Sequence, residues 1–465
     1  MRVLPSVRVL SGAVAPDTIL TPAAQPIVVE VRDTLGRLVP GTRVRFSSAR
    51  SADSTRDNET PLYVCPDGPF ACAPTSGGRV DTAAVVYTNA EGRAVARVQL
   101  GTIAGPTWLY VAALDLGAED SLAFTVLPGA PAGVRIGVAD TALYVAASYA
   151  PRATVHDRFG NLRADVATLA ADDSVVTIGA GSRVSGRVIG RGTITAQYGG
   201  FADTSHVSVV PTGRIVAWEW SGPEPNSIVA FDLDGSSFRV VAHLTSLQNP
   251  LPIWAPGTDD VVYGDLVAGT QQLMRADAHG AVSPFLHDGG ALAWSGEAQF
   301  SPDGAAVYFN GAGMGVHGLW RARADGTGVE QVPGGISASQ PTVSPDGGRV
   351  AYSLSSKIRV LTLATYTVAD IDVGASDLHW APAGERIAYV GAAPNKIQII
   401  NADGSGYSYF PTTEDFDGAF DWSPDAQWLV VGGYGRLSLL NVASGALLPL
   451  PVALDAELYA PSWKR

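Results

Sequence analysis

The sequence predicts an all-β chain: two β-sandwiches followed by a six-bladed β-propeller closed by its own C-terminal strand. Three observations predict it. A corner motif recurs from Trp254 to the C-terminus, alternating apolar runs fill the space between turns, and strong amphipathic helical stretches are hard to find. A charged fraction of 16% against 46% hydrophobic residues, with 52 Gly and 31 Pro, fits a turn-rich chain with ample core-forming material.

The corner motif reads Trp254-Ala255-Pro256-Gly257, Phe300-Ser301-Pro302-Asp303-Gly304, Val343-Ser344-Pro345-Asp346-Gly347, Trp380-Ala381-Pro382-Ala383-Gly384 and Trp422-Ser423-Pro424-Asp425. A partial copy, Ala460-Pro461-Ser462-Trp463, stands near the chain end. Proline presets φ for a turn, aspartate bonds the backbone and glycine accepts a positive φ, so each copy is a hairpin corner. An apolar strand follows each, beginning at Asp260, Ala306, Arg349, Arg386 and Trp428. The corners recur roughly every forty residues, the period of four-stranded propeller blades. Arg214 to Trp218 reads as a strand after a corner with no corner before it. Tyr459 to Trp463 reads as a strand into a corner with nothing after it. Joining the two gives six blades over 212–465 and leaves no unpaired sheet edge.

Upstream, residues 1–128 read as a sandwich. Pro26 to Asp33 and Val39 to Phe46 alternate as strands around a Leu35-Gly36 turn, and Trp108 to Ala112 is a later strand. Residues 49–78 are a long polar stretch, read as an insertion at one end. It holds the chain's two cysteines, Cys65 and Cys72, around Pro66-Asp67-Gly68-Pro69. That turn brings the chain back on itself, so a disulfide stapling a hairpin is geometrically easy, and it implies an oxidising compartment. Without neighbouring histidines a metal site is the poorer reading. Residues 129–211 read as a second, shorter sandwich, with Pro211-Thr212-Gly213 as the hinge to the propeller.

The aromatic-Ser-Pro-Asp-Gly corner, the Arg-Ile/Val-Ala-Tyr strand and turns such as Asp232-Leu233-Asp234-Gly235-Ser236 resemble the TolB-type propeller family over about 212–465. Such propellers serve as periplasmic interaction platforms, as companions of peptidase domains and as lyases, so the resemblance is specific for fold and weak for function. The order Thr88-Asn89-Ala90-Glu91-Gly92-Arg93-Ala94, Leu100-Gly101 and Trp108 to Ala112 resembles the bacterial Ig-like repeat of invasin- and intimin-type surface proteins. Asp173-Ser174-Val175, Val184-Ser185-Gly186 and Gly192-Thr193-Ile194-Thr195-Ala196 resemble the other common bacterial Ig-like type. These resemblances imply spacer modules in an exported protein, periplasmic, at the cell surface or extracellular.

The net charge of −13, with basic residues spread along the chain, argues against nucleic acid and anionic membrane as partners. No apolar run approaches the roughly 20 residues of a membrane helix. No signal peptide is visible at Met1 to Ser6, which leaves a mature or truncated form, or an export segment lost at the start. Nucleophile elbow, His-Glu-x-x-His, paired Cys-x-x-Cys, P-loop and dinucleotide fingerprint are all missing. The seven histidines are scattered, and the Asp-x-Asp-Gly turns are hairpin turns rather than calcium loops. No cofactor or metal is expected.

One constellation remains. With the strand before each corner innermost, the corner residues pack between blades, and alternation turns the residues one and three before them to the channel. Those are Ile253, Gln299, Thr342, His379, Asp421 and Ser462, and behind them Leu251, Glu297, Gln340, Asp377, Ala419 and Ala460. The expected binding candidates are thus Glu297, Gln299, Gln340, Thr342, Asp377, His379, Asp421 and Ser462, with a wet structural channel as the plain alternative. The leading function is a non-catalytic binding protein whose propeller takes protein, peptide or glycan. The alternatives are a lyase or hydrolase of polysaccharide or lactone, using Asp377, His379, Asp421 and Glu297, and a surface-layer or filament component.

Overall fold

A computed structural model describes residues 4–12, 16–48, 62–66, 82–137, 140–171, 174–220, 226–245, 250–313, 315–355, 357–371, 374–391, 396–410, 419–433, 435–451 and 457–465. The chain is all-β as predicted; the one helical stretch among these residues is a 3-10 turn at Ala180–Ser182. It divides into two compact units, one of 1–137, 151–170 and 195–204, the other of 138–150, 171–194 and 205–465.

In the first unit a four-stranded sheet, ordered Ser6–Ser11, Ile27–Arg32, Arg93–Leu100, Leu62–Pro66, faces a five-stranded one built around Gly105–Ala113 and Arg43–Ser47. Period-2 alternation turns Ile27, Val29 and Val31 from one sheet and Val44, Phe46, Leu109 and Val111 from the other into a single core. Leu62–Pro66, expected inside a polar insertion, is instead an edge strand. Leu62 and Val64 are fully buried in that core, because this short run is apolar at alternate positions. Cys65 lies on this strand opposite Arg97, whereas Cys72 lies outside the described residues.

In the second unit, residues 214–463 form six four-stranded antiparallel sheets. Blade 1 comprises Arg214–Trp220, Ser227–Asp232 and Arg239–His243, completed on its inner side by Glu457–Trp463. Ile215 pairs with Trp463, Val216 with Ser462 and Trp218 with Tyr459, so the ring closes as expected. The inner strands of blades 2 to 6 are Ile253–Trp254, Leu292–Phe300, Ser339–Val343, Ala375–Trp380 and Phe420–Trp422.

Each second strand is buried on both faces, and alternation gives each face a different neighbour. Ile215 and Ala217 of blade 1 pack toward blade 6 with Leu437, Leu439 and Trp463, while Val216 packs toward blade 2 with Trp254 and Tyr263. The same two-sided packing repeats around the ring, one apolar cluster per blade boundary. At the Ser-Pro-Asp corners the serine hydroxyl caps the turn. It accepts the amide five residues on, at 3.0 Å from Ala306, 2.9 Å from Arg349 and 2.9 Å from Trp428. It also donates to the corner aspartate.

The arginine of the Arg-Ile/Val-Ala motif has a packing reason. Arg349 lies over the ring of Trp380 at 5.0 Å, Arg386 over Trp422 at 5.2 Å and Arg214 over Trp254 at 5.8 Å. In each case the arginine opening one blade's second strand covers the corner tryptophan of the next blade. Blade 3 opens that strand with Ala306, and the next corner is Val343, so both halves of the pair are missing together.

Candidate functional site

All six inner strands contribute to one cavity of about 490 Å³ in the propeller's channel. Leu251, Ile253 and Trp254 come from blade 2, Glu297 and Gln299 from blade 3, Gln340 from blade 4, and Asp377 and His379 from blade 5. Ala419 and Asp421 come from blade 6, and Ala460, Ser462, Trp463 and Arg465 from the closing strand and the residues after it. Among the expected candidates Thr342 alone does not line it. Thr342 is fully buried, and its hydroxyl accepts the Trp380 amide at 2.7 Å.

The backbone departs from simple alternation. Leu251, Glu297, Gln340, Asp377 and Ala460, the residues three before five of the six corners, have φ of 42°, 47°, 52°, 49° and 46°. These are left-handed positions occupied by side chains that pay roughly 1 kcal/mol or more for them. The pairing register slips there, between Gly296 and Ala298, Ser339 and Thr342, and Ser376 and His379. Each slip is a bulge that re-aims a side chain and leaves an amide outside the sheet ladder.

Those amides are taken up by the neighbouring blade. Glu297 Oε2 accepts the Gln340 amide at 2.8 Å, and Gln340 Oε1 accepts the Asp377 amide at 2.8 Å. Gln340 Nε2 donates back to Asp377 Oδ1 at 2.8 Å, and Asn310 Nδ2 donates to Glu297 Oε2 at 3.1 Å. A second row runs one position before the corners. Gln299 Oε1 accepts the Val343 amide at 2.8 Å, Thr342 the Trp380 amide, and Asp421 Oδ2 the Trp463 amide at 2.9 Å. Glu297, Gln299, Gln340, Thr342 and Asp421 are therefore ties between adjacent blades, made with backbone groups that would otherwise lack partners.

The carboxylates differ sharply. Burial works against the Asp421 charge, but the Arg465 guanidinium at 2.9 Å, His379 and the Trp463 amide outweigh it and hold the carboxyl well below the usual range. His379 Nδ1 stands 3.5 Å from Asp421 Oδ1, and its ring tilts against Phe420 at 4.8 Å. Asp377 goes the other way: burial raises it foremost, His379 opposes that, and the charge of Glu297 adds to the rise. So Asp377 and Glu297 meet through Gln340, while His379 and Arg465 each face Asp421 Oδ1 directly. Among the described residues no group of three His, Cys, Asp or Glu gathers around one point as a metal would require.

Sequence reasoning missed Arg465, Asn310 and the left-handed positions as such. Lys464, which pairs with Asp259 and lies over Trp254, was also missed. The basic residues after Trp463 have no counterpart in the repeat frame, so nothing in the repeat assigns them a place.

No family model matches the chain. Among curated proteins, an uncharacterized protein of Agrobacterium fabrum is 27% identical over 110 residues, 20% of this chain. The match spans 38% of that protein's length. Among solved structures, the chain is similar to TolB from Acinetobacter baumannii, at 18% identity and TM-score 0.45, covering 63% of this chain and 82% of that one. It is similar to a putative TolB from Agrobacterium tumefaciens at 15% identity and TM-score 0.43, covering 55% and 100%. A nidogen/laminin complex is similar at 12% identity and TM-score 0.43, covering 54% and 99%. None of these likenesses carries an activity to this chain.

Proposed function

We propose that this is a non-catalytic, exported binding protein, in which two bacterial Ig-like modules, 1–128 and 129–211, carry a TolB-like propeller, 212–465. The propeller's channel cavity receives a segment of a protein, peptide or glycan of the cell envelope or extracellular space. One observation carries the reading: Glu297, Gln299, Gln340 and Asp421 of the cavity wall are already committed to bonds between blades. A wall held that way is pre-organised for recognition, since ordering it costs nothing at the moment of binding. The lyase or hydrolase alternative, drawn on Asp377, His379, Asp421 and Glu297, finds Asp377 tied to Glu297 through Gln340 and Asp421 engaged by Arg465 and the Trp463 amide, with His379 acting on both aspartates. No helix among the described residues is long and apolar enough to cross a membrane.

The test uses the full chain on a solid support, washed with an envelope extract of the source organism. Ala298 lines the cavity and is partly exposed, so Ala298→Trp fills the space without touching a tie between blades. A partner retained by the natural chain and lost with Ala298→Trp supports the reading. Identical retention by both chains sinks it.

A further inference from the structure

The strands that precede the propeller do not end at its border. Thr141–Tyr144 pairs in parallel with Phe201–Val210, with Tyr144 opposite Val210. Ala142 and Val210 are buried in the same apolar cluster as Ile215, Phe231, Leu448 and Trp463, and Tyr144 packs against it. This is the cluster between blades 6 and 1, where the ring closes. Pro211–Gly213, expected as a hinge, is therefore flanked on both sides by core residues and is pinned in place. The Tyr144 hydroxyl donates to the Gly213 carbonyl at 3.1 Å. Burial, then the charges of Asp234 and Asp232, pushes this hydroxyl to about 12, so it keeps its proton at physiological pH. Gly213 in turn sits against the Trp463 indole: a Cβ at residue 213 would stand 2.6 Å from Nε1. On the other side of the seam the Ser208 hydroxyl donates to the Pro449 carbonyl of blade 6 at 2.9 Å.

We propose that Thr141–Tyr144 and residues 205–210 form a brace across the closing seam, so that ring closure and this pair of strands are stable only together. The physical case is topological. Pairing Arg214–Trp220 with Glu457–Trp463 closes nearly the whole propeller into one loop, and its entropy must be met by contacts at the seam itself. The brace adds contacts there by holding the blade 1 entry and the blade 6 outer strand from one rigid pair. Residues 141–144 and 205–210 are then an integral part of the propeller, which goes beyond a carrier's role.

Hydrogen exchange by mass spectrometry on the full chain tests this. With Tyr144→Ala, amide exchange in 214–220 and 457–463 should quicken tenfold or more, while the inner strands of blades 3 to 5 keep their rates. Reciprocity requires the converse: Trp463→Phe, which loosens the seam without emptying it, should quicken exchange in 141–144 and 205–210. Quickening confined to 141–144 and 205–210 in Tyr144→Ala, with the seam unchanged, would overturn the brace. So would uniform quickening of all six blades, which would mean global destabilisation.

Discussion

Two aspartates in one cavity carry opposite linkages to pH. Asp421 is held below the ordinary carboxylate value, so its contribution is fully present above roughly pH 3.9 and is lost as pH falls through its folded value. Asp421→Asn should lower stability at pH 7 and flatten the acid limb of the stability curve. Asp377 is raised, so its ionisation works against folding as pH rises above roughly 3.9. Asp377→Asn keeps an oxygen for Gln340 Nε2 and removes the buried charge, so it should raise the melting temperature at pH 7. Thermal melts of both variants from pH 3 to pH 8 check the pair of signs; the same sign for both at neutral pH would contradict this assignment. Apart from Thr342, the lining side chains were legible in the sequence, because period 2 counted back from the corners points at the channel. Their partners were not. A tie from Gln340 to the Asp377 backbone involves a group every residue owns, some forty positions on, and leaves no mark in the letters. The left-handed φ of Glu297, Gln340 and Asp377 is equally silent, since no glycine advertises it.

At the level of elements, the corners and second strands were readable because their chemistry is local: a Ser-Pro-Asp-Gly turn followed by a run buried on both faces. The Arg349–Trp380 contact shows how one element is tied to the next. A double-mutant cycle with Arg349→Met and Trp380→Phe should return a coupling of about 0.5–2 kcal/mol. A value indistinguishable from zero would reduce the motif arginine to its surface ion pair with Glu385. The stretch 62–66 was misread for the opposite reason. Five apolar-patterned residues inside a polar segment are too few to reveal a strand until a neighbouring edge is available to pair with it. The Cys65–Cys72 bridge remains a proposal with its own check. Alkylation of the natively folded chain should label neither thiol until reductant is added, and labelling of both beforehand would rule the bridge out. Closing so short a loop contributes only about 2–3 kcal/mol, so Cys65→Ser should leave the sandwich folded.

For the molecule as a whole, ring closure is the claim on which the cavity depends, since Ala460, Ser462, Trp463 and Arg465 form part of its wall. The pairing of the two chain regions was predictable because each lacked what the other supplied. The brace was not, because strands 141–144 and 205–210 resemble a free-standing module when read in isolation. Trp463 is almost wholly buried at 2% exposure, and deleting it with its strand forfeits roughly 3–5 kcal/mol from the aromatic alone. Differential scanning calorimetry of the full chain against a chain lacking residues 457–465 tests closure most directly. The account predicts that the propeller transition falls by about 10 °C or more while the transition of the 6–127 sandwich stays in place. Unchanged melting of the propeller after this deletion would contradict it.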